Sequence, residues 1–186
     1  VTLDGFVNYD LMTEVALRQG VDVASAAEAI RAACEVSPAS WGNIVMIDAN
    51  GAASVEIRGA DVVIVALEGP TARSNHHVVL GQHEMQEDHA TTVLRLDAAQ
   101  RRLEVATTLA DVFDLQRSHD DGDSGVCNHV SLSTVYSYVL QRTEASITLH
   151  VLQGRPCSGA ERVSIEIPFR DLFTPDAVEH FMRSYP

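Results

Sequence analysis

The chain has 186 residues and a mass of 20.2 kDa, enough for one domain with a real core. Its 46% hydrophobic and 21% charged residues, at a mean hydropathy of +0.01, suit a soluble globular protein. Thirteen basic residues against twenty-six acidic ones leave a net charge of -13 and a pI near 4.8. Such a surface repels phosphate backbones, so neither nucleic acid nor membrane is expected as a partner.

Residues Asn8 to Gln19 place Leu11, Met12, Val15 and Ala16 at helical spacing, and Gly20 ends that stretch. The Ala-rich segment from Asp22 to Glu35 predicts a second helix with Asp22 or Ser25 as its cap. The loop Ser37-Pro38-Ala39-Ser40 follows. Gly42–Asp48 and Ala52–Arg58 then flank Ala49-Asn50-Gly51, and Asn-Gly, which accepts positive φ cheaply, predicts a hairpin there. Asp61–Leu67 is a third strand, closed by Gly69-Pro70.

Helical patterns return over Ala90–Leu103 and Thr108–Arg117, the latter opened by Thr108 or Asp111. Ser133–Val139 and Ser146–Val151 alternate residue by residue and predict a second hairpin. A strand over Val163–Phe169 and a helix from about Asp176 complete the chain. No repeat or linker divides it, so a single domain over 1–186 is expected. Helices interspersed with antiparallel hairpins define an α+β fold.

The longest aliphatic run, Val62 to Leu67, is too short to cross a bilayer, and the start carries no basic segment followed by an apolar one. The three cysteines, Cys34, Cys127 and Cys157, are too few and too odd for a disulfide framework and fit a reducing compartment. A cytoplasmic location is therefore expected. The chain opens at Val1 without an initiator Met, which suggests a cleaved precursor or part of a longer product.

The segment Arg73-Ser74-Asn75-His76-His77 follows a strand and a Gly-Pro break, a place where functional side chains are commonly presented. An Asn there is able to offer its side-chain N–H to a developing oxyanion, although Asn is also a common turn former. It belongs to a longer pattern. Ala27-Glu28-Ala29 precedes Asn43, Asp48, Gly51 and Glu56, and Ser74-Asn75-His76 follows. Then come Ser118-His119-Asp120, Val126-Cys127-Asn128-His129, Thr134-Val135-Tyr136-Ser137 and Gly154-Arg155-Pro156-Cys157.

In this order, from about Val15 to Phe169, the chain resembles the C45 peptidase-like family, which includes acyl-coenzyme A:6-aminopenicillanate acyltransferase. The resemblance implies an N-terminal-nucleophile (Ntn) hydrolase fold, a four-layer αββα sandwich whose first strands are missing from this chain. It also implies autoproteolytic processing that exposes an N-terminal Cys, whose own α-amine serves as general base for its thiol. The expected activity is hydrolysis or transfer of an acyl group at an amide bond through a thioester. Asn75 takes the family's oxyanion position, and His76 beside it is a candidate substrate contact. Asn128 stands where the family has Arg, which exchanges a fixed cation for a neutral amide.

No residue here supplies the nucleophile. Val1 has no reactive side chain, and Thr2 would need Val1 removed. The implied partners are an upstream or separate chain carrying the N-terminal Cys and a small acyl amide or acyl-thioester substrate. The alternative is a non-catalytic homologue acting as a binding or scaffold subunit; a truncated but otherwise ordinary enzyme is a third reading.

The other reactive residues read as structural. Cys34 suits a core position in its Ala-rich helix, and Cys157 after Pro156 suits packing. Cys127 with His129 invites a nucleophile–base reading, but the resemblance treats this Cys as internal. His83-Glu84 with Glu87 and His89 misses the H-E-x-x-H spacing, and Asp120-Asp121-Gly122-Asp123 lacks the alternation of a calcium loop. No cofactor or metal is expected from these patterns.

Overall fold

The computed structural model describes residues 7–8, 10–81, 90–120, 125–129, 133–171 and 175–185. Thr2, the His83–His89 stretch and residues 121–123 of the acidic run lie outside them. The fold is mixed α+β, with five helices and two three-stranded antiparallel sheets among the described residues. Contacts divide the chain into two compact units, Val1–Glu104 and Val105–Pro186. No described helix is long and apolar enough to cross a membrane.

In the first unit, α1 (Asp10–Gln19) and α2 (Val23–Val36) pack on a sheet of β1 (Ala39–Ile47), β2 (Ala52–Gly59) and β3 (Asp61–Ala66) in the order β1-β2-β3. Asp22 and Ser25, alternatives in the sequence, share one capping box: the Asp22 side chain accepts from the Ser25 N–H, and Ser25 Oγ reaches back to the Asp22 N–H. Gly20 is required where α1 meets α2, because a Cβ there would lie 2.5 Å from Ala26 Cβ and 2.8 Å from the Ala16 carbonyl oxygen.

The hairpin forms where expected, but by another device. Gly51 has no positive φ. Instead the Asp48 carboxylate accepts from the Asn50 and Gly51 N–H groups at 2.6 and 2.9 Å, and its second oxygen accepts from Val23 N at 2.6 Å, tying the turn to the start of α2. Strand β1 also begins earlier than its sequence suggests. Ala39 pairs with Gly59, a register shift intervenes before Gly42, and Val7 adds a parallel bridge beside Ala39.

One face of this sheet meets the helices. Met12, Ala16, Ala26, Ala27, Ile30 and Cys34 pack there against Ala39, Ile44, Val55 and Ile57, and Cys34 is fully buried as expected. The opposite face carries Asn43, Val45 and Ile47 of β1 beside Glu56 and Ser54 of β2, with Asn43 paired to Glu56 and Val45 to Ser54. Helix α3 (Ala90–Leu103) follows the loop after β3.

In the second unit, α4 (Leu109–Gln116) precedes a sheet of β4 (Tyr136–Arg142), β5 (Ser146–Gln153) and β6 (Val163–Pro168), and α5 (Pro175–Ser184) ends the chain. Thr108 caps α4 in a second capping box with Asp111. Strand β4 starts at Tyr136, three residues after the expected Ser133. Thr134 N donates back to the Asn128 carbonyl at 2.9 Å, so its backbone closes a loop before the sheet begins. Gln116 and Phe113 of α4 anchor it to the sheet: Gln116 Nε2 donates to the Tyr138 carbonyl at 2.8 Å, and the Phe113 ring meets His150 edge-on.

Candidate functional sites

The segment from Arg73 to Leu80 crosses the face of the first sheet turned away from α1 and α2, and the motif residues hold it there. Asn43 Nδ2 donates to both the Ser74 and His76 carbonyls, at 2.7 and 3.0 Å. Opposite Asn43 on β2, the Glu56 carboxylate accepts from the Val78, Val79 and Leu80 N–H groups, each at 2.8 Å. Glu56 is fully buried. Burial alone would raise its pKa, but the three backbone donors, helped by His77, outweigh that and hold it below its ordinary 4.5.

His77, within the same segment, is buried. Trp41 Nε1 donates to His77 Nδ1 at 2.5 Å, so the proton of the neutral ring sits on Nε2, which meets the Gly42 carbonyl at 3.1 Å. Burial pulls the His77 pKa below 6.5, against the pull of the Gly42 carbonyl and Glu56. Arg73 reaches Ser54 Oγ at 3.1 Å. Of the expected site residues, Asn75 has an exposed side chain and lies between the two carbonyls that Asn43 holds. His76 instead turns inward: it is 6% exposed, and its Nδ1 meets Thr92 Oγ1 of α3 at 3.0 Å. Two surface grooves of the first unit, of about 450 and 280 Å³, are lined from α1 and α2 or from the Asp48 turn, and neither includes Asn75.

Asn128, the third expected residue, lies in the second unit. It is 7% exposed, and its backbone N–H donates to Thr134 Oγ1 at 3.1 Å. The structure therefore brings Asn75 and His76 together on one loop and places Asn128 in a separate setting.

That setting contains a cluster the sequence reading left unassembled. His119 follows α4, Cys127 and His129 flank Asn128, and Cys157 lies in the short 3-10 turn Pro156–Ser158 after β5. Their ligand atoms all lie within 4.8 Å of one another. Cys127 is buried, whereas Cys157, expected to pack inward, is exposed. Burial pushes the Cys127 thiol up, and the adjacent Cys157 thiol adds to the effect. The available signal was the set of short motifs carrying these four residues, which the sequence spreads from His119 to Cys157, with 28 positions between His129 and Cys157 alone.

No protein-family model matches the chain, and no curated protein matches its sequence.

Proposed function

We propose that this chain is part, or a processed subunit, of an N-terminal-cysteine amidohydrolase or acyltransferase, with the nucleophile supplied by an upstream or separate segment. The observation that carries the reading is the clamped loop. Asn43 and Glu56, two of the residues behind the family resemblance, fix the backbone on either side of Asn75 and leave its side chain exposed. A backbone fixed around Asn75 limits the reorganisation needed to present its side-chain N–H when charge develops, which favours an oxyanion donor.

In the proposed reaction the N-terminal Cys passes its thiol proton to its own α-amine, whose pKa of about 7.7–8.0 suits a base near neutrality. The thiolate then bonds to the acyl carbon, and Asn75 Nδ2 donates to the resulting oxyanion. Collapse breaks the C–N bond as the amine leaves with the proton, and water or an amine acceptor resolves the thioester. The finer architecture proposed is the αββα sandwich. Val45 and Ile47 remain 56% and 68% exposed on the face of the first sheet turned away from α1 and α2, as a layer awaiting a facing sheet would.

The neutral Asn128 at the family's Arg position favours a second reading, a non-catalytic binding or scaffold subunit. Intact mass and N-terminal sequencing of the protein from its native source separate the two. The catalytic reading expects an accompanying chain or segment with an N-terminal Cys that forms an acyl adduct, and Asn75→Ala should lower kcat about 10²–10³-fold. A complex without any N-terminal Cys overturns it in favour of the second.

A further inference from the structure

We propose that His119, Cys127, His129 and Cys157 form a structural zinc site, an assignment independent of the catalytic reading above. His129 Nε2 is the centre of the cluster: it lies 3.0 Å from His119 Nε2, 3.3 Å from Cys127 Sγ and 3.2 Å from Cys157 Sγ. A ring nitrogen has one in-plane direction, occupied by either a proton or a lone pair. It therefore makes one good hydrogen bond, and three close neighbours exceed what hydrogen bonding explains.

A tetrahedral metal accounts for the convergence. With Zn–N near 2.0–2.1 Å and Zn–S near 2.3 Å, tetrahedral ligand atoms stand about 3.3–3.8 Å apart. The present spacing is slightly tighter around His129 and nowhere exceeds 4.8 Å. Two thiols and two imidazoles are the donor set that selects zinc, whereas magnesium and calcium take oxygen ligands. Binding would release both thiol protons, and the two thiolates would neutralise the ion. With all four positions filled by protein, the site is closed and structural.

The backbone is built for this approach without help from a metal. Gly125 admits no side chain, because a Cβ there would lie 2.6 Å from both His119 Cα and the Ser118 carbonyl oxygen. Cys127 N donates to that same carbonyl at 3.1 Å, which sets His119 beside Cys127. On the other side of His129 the paired bonds between Asn128 and Thr134 close the loop. Buried Pro156 opens the 3-10 turn that carries Cys157, and Gly159, at φ 75°, ends it. The ion would join the segment after α4 to the β5–β6 connection and fix Asn128 between two of its ligands.

The test is metal content and native mass of the full chain, produced with zinc present and with its thiols kept reduced. The expected result is one zinc per chain. Replacement by cobalt should give the strong d–d and thiolate-to-metal bands of a tetrahedral thiolate site. Cys157→Ser and His119→Ala should each weaken zinc binding by more than the ~100-fold that loss of an outer-shell partner costs. Cys157 is exposed, so its replacement removes a ligand without opening the core. Cys34→Ala should leave the zinc content unchanged. A wild-type chain that holds no zinc and gives no tetrahedral cobalt spectrum overturns the assignment. So does a mass two hydrogens light under these reducing conditions, which would show a Cys127–Cys157 disulfide in place of the metal.

Discussion

Replacing Glu56 by Gln tests the clamp behind the candidate oxyanion loop. The substitution keeps the side chain's shape but leaves one oxygen to serve three backbone N–H groups, now held at 2.8 Å by two. At least one N–H must face an NH2 group, which costs about 1–3 kcal/mol, and the surviving bonds lose their charge assistance, about 1 kcal/mol each. Gln is less costly to bury than a carboxylate, so the net loss should be about 2–4 kcal/mol, against a typical total stability of about 5–15.

Trp41, the single tryptophan, is bonded to His77 of this loop, so urea unfolding followed by its fluorescence reads the effect locally. Glu28→Gln, which alters only an exposed pair with Arg31, is the control and should leave the midpoint unchanged. The pH dependence provides a second readout. Because the folded-state pKa of Glu56 is depressed, its contribution is present above the ordinary 4.5 and is lost as pH falls through the lower folded value. Glu56→Gln should therefore flatten the acid limb of the stability curve. A change below about 0.5 kcal/mol, within the range of ordinary surface substitutions, would refute the clamp.

His77 acts at higher pH but with the same sign. Its folded pKa is depressed, so its contribution is present above 6.5 and is lost as pH falls below that value; stability of the first unit should begin to fall there, and His77→Gln should remove this early phase. A stability curve flat from neutrality down to the carboxylate range would contradict the buried neutral imidazole. Gly20→Ala should destabilise by about 1–3 kcal/mol in thermal melts despite alanine's helix propensity, because its Cβ would collide with Ala26. An unchanged melting temperature would mean that α1 and α2 separate at no cost.

Much of the secondary structure was legible because its causes are local. The 3.6-residue spacing of Met12 and Ala16 marks the buried side of α1, and both capping boxes lie within four residues of sequence. Strand positions followed from β-branched runs and alternation. Errors arose where backbone groups bond at a distance. Ala39 joins the sheet because the backbone of Val7 pairs with the residues on either side of it, and Thr134 leaves β4 because it bonds to Asn128. The Asn-Gly pair pointed to the right turn, but the Asp48 carboxylate shapes it.

The sequence by itself determined the kinds of element, their order and the residues with chemical potential, because periodicity, capping and turn chemistry act over a few positions. Only the tertiary structure decided what those residues do together. Asn43 and Glu56 are thirteen positions apart, and antiparallel pairing of β1 with β2 makes them neighbours beneath the Asn75 loop. His119, Cys127, His129 and Cys157 come from three separate segments, and they converge because Gly125 lets two of those segments touch and the β5–β6 connection delivers the third. Register and loop closure are long-range properties, and no local pattern of side chains encodes them.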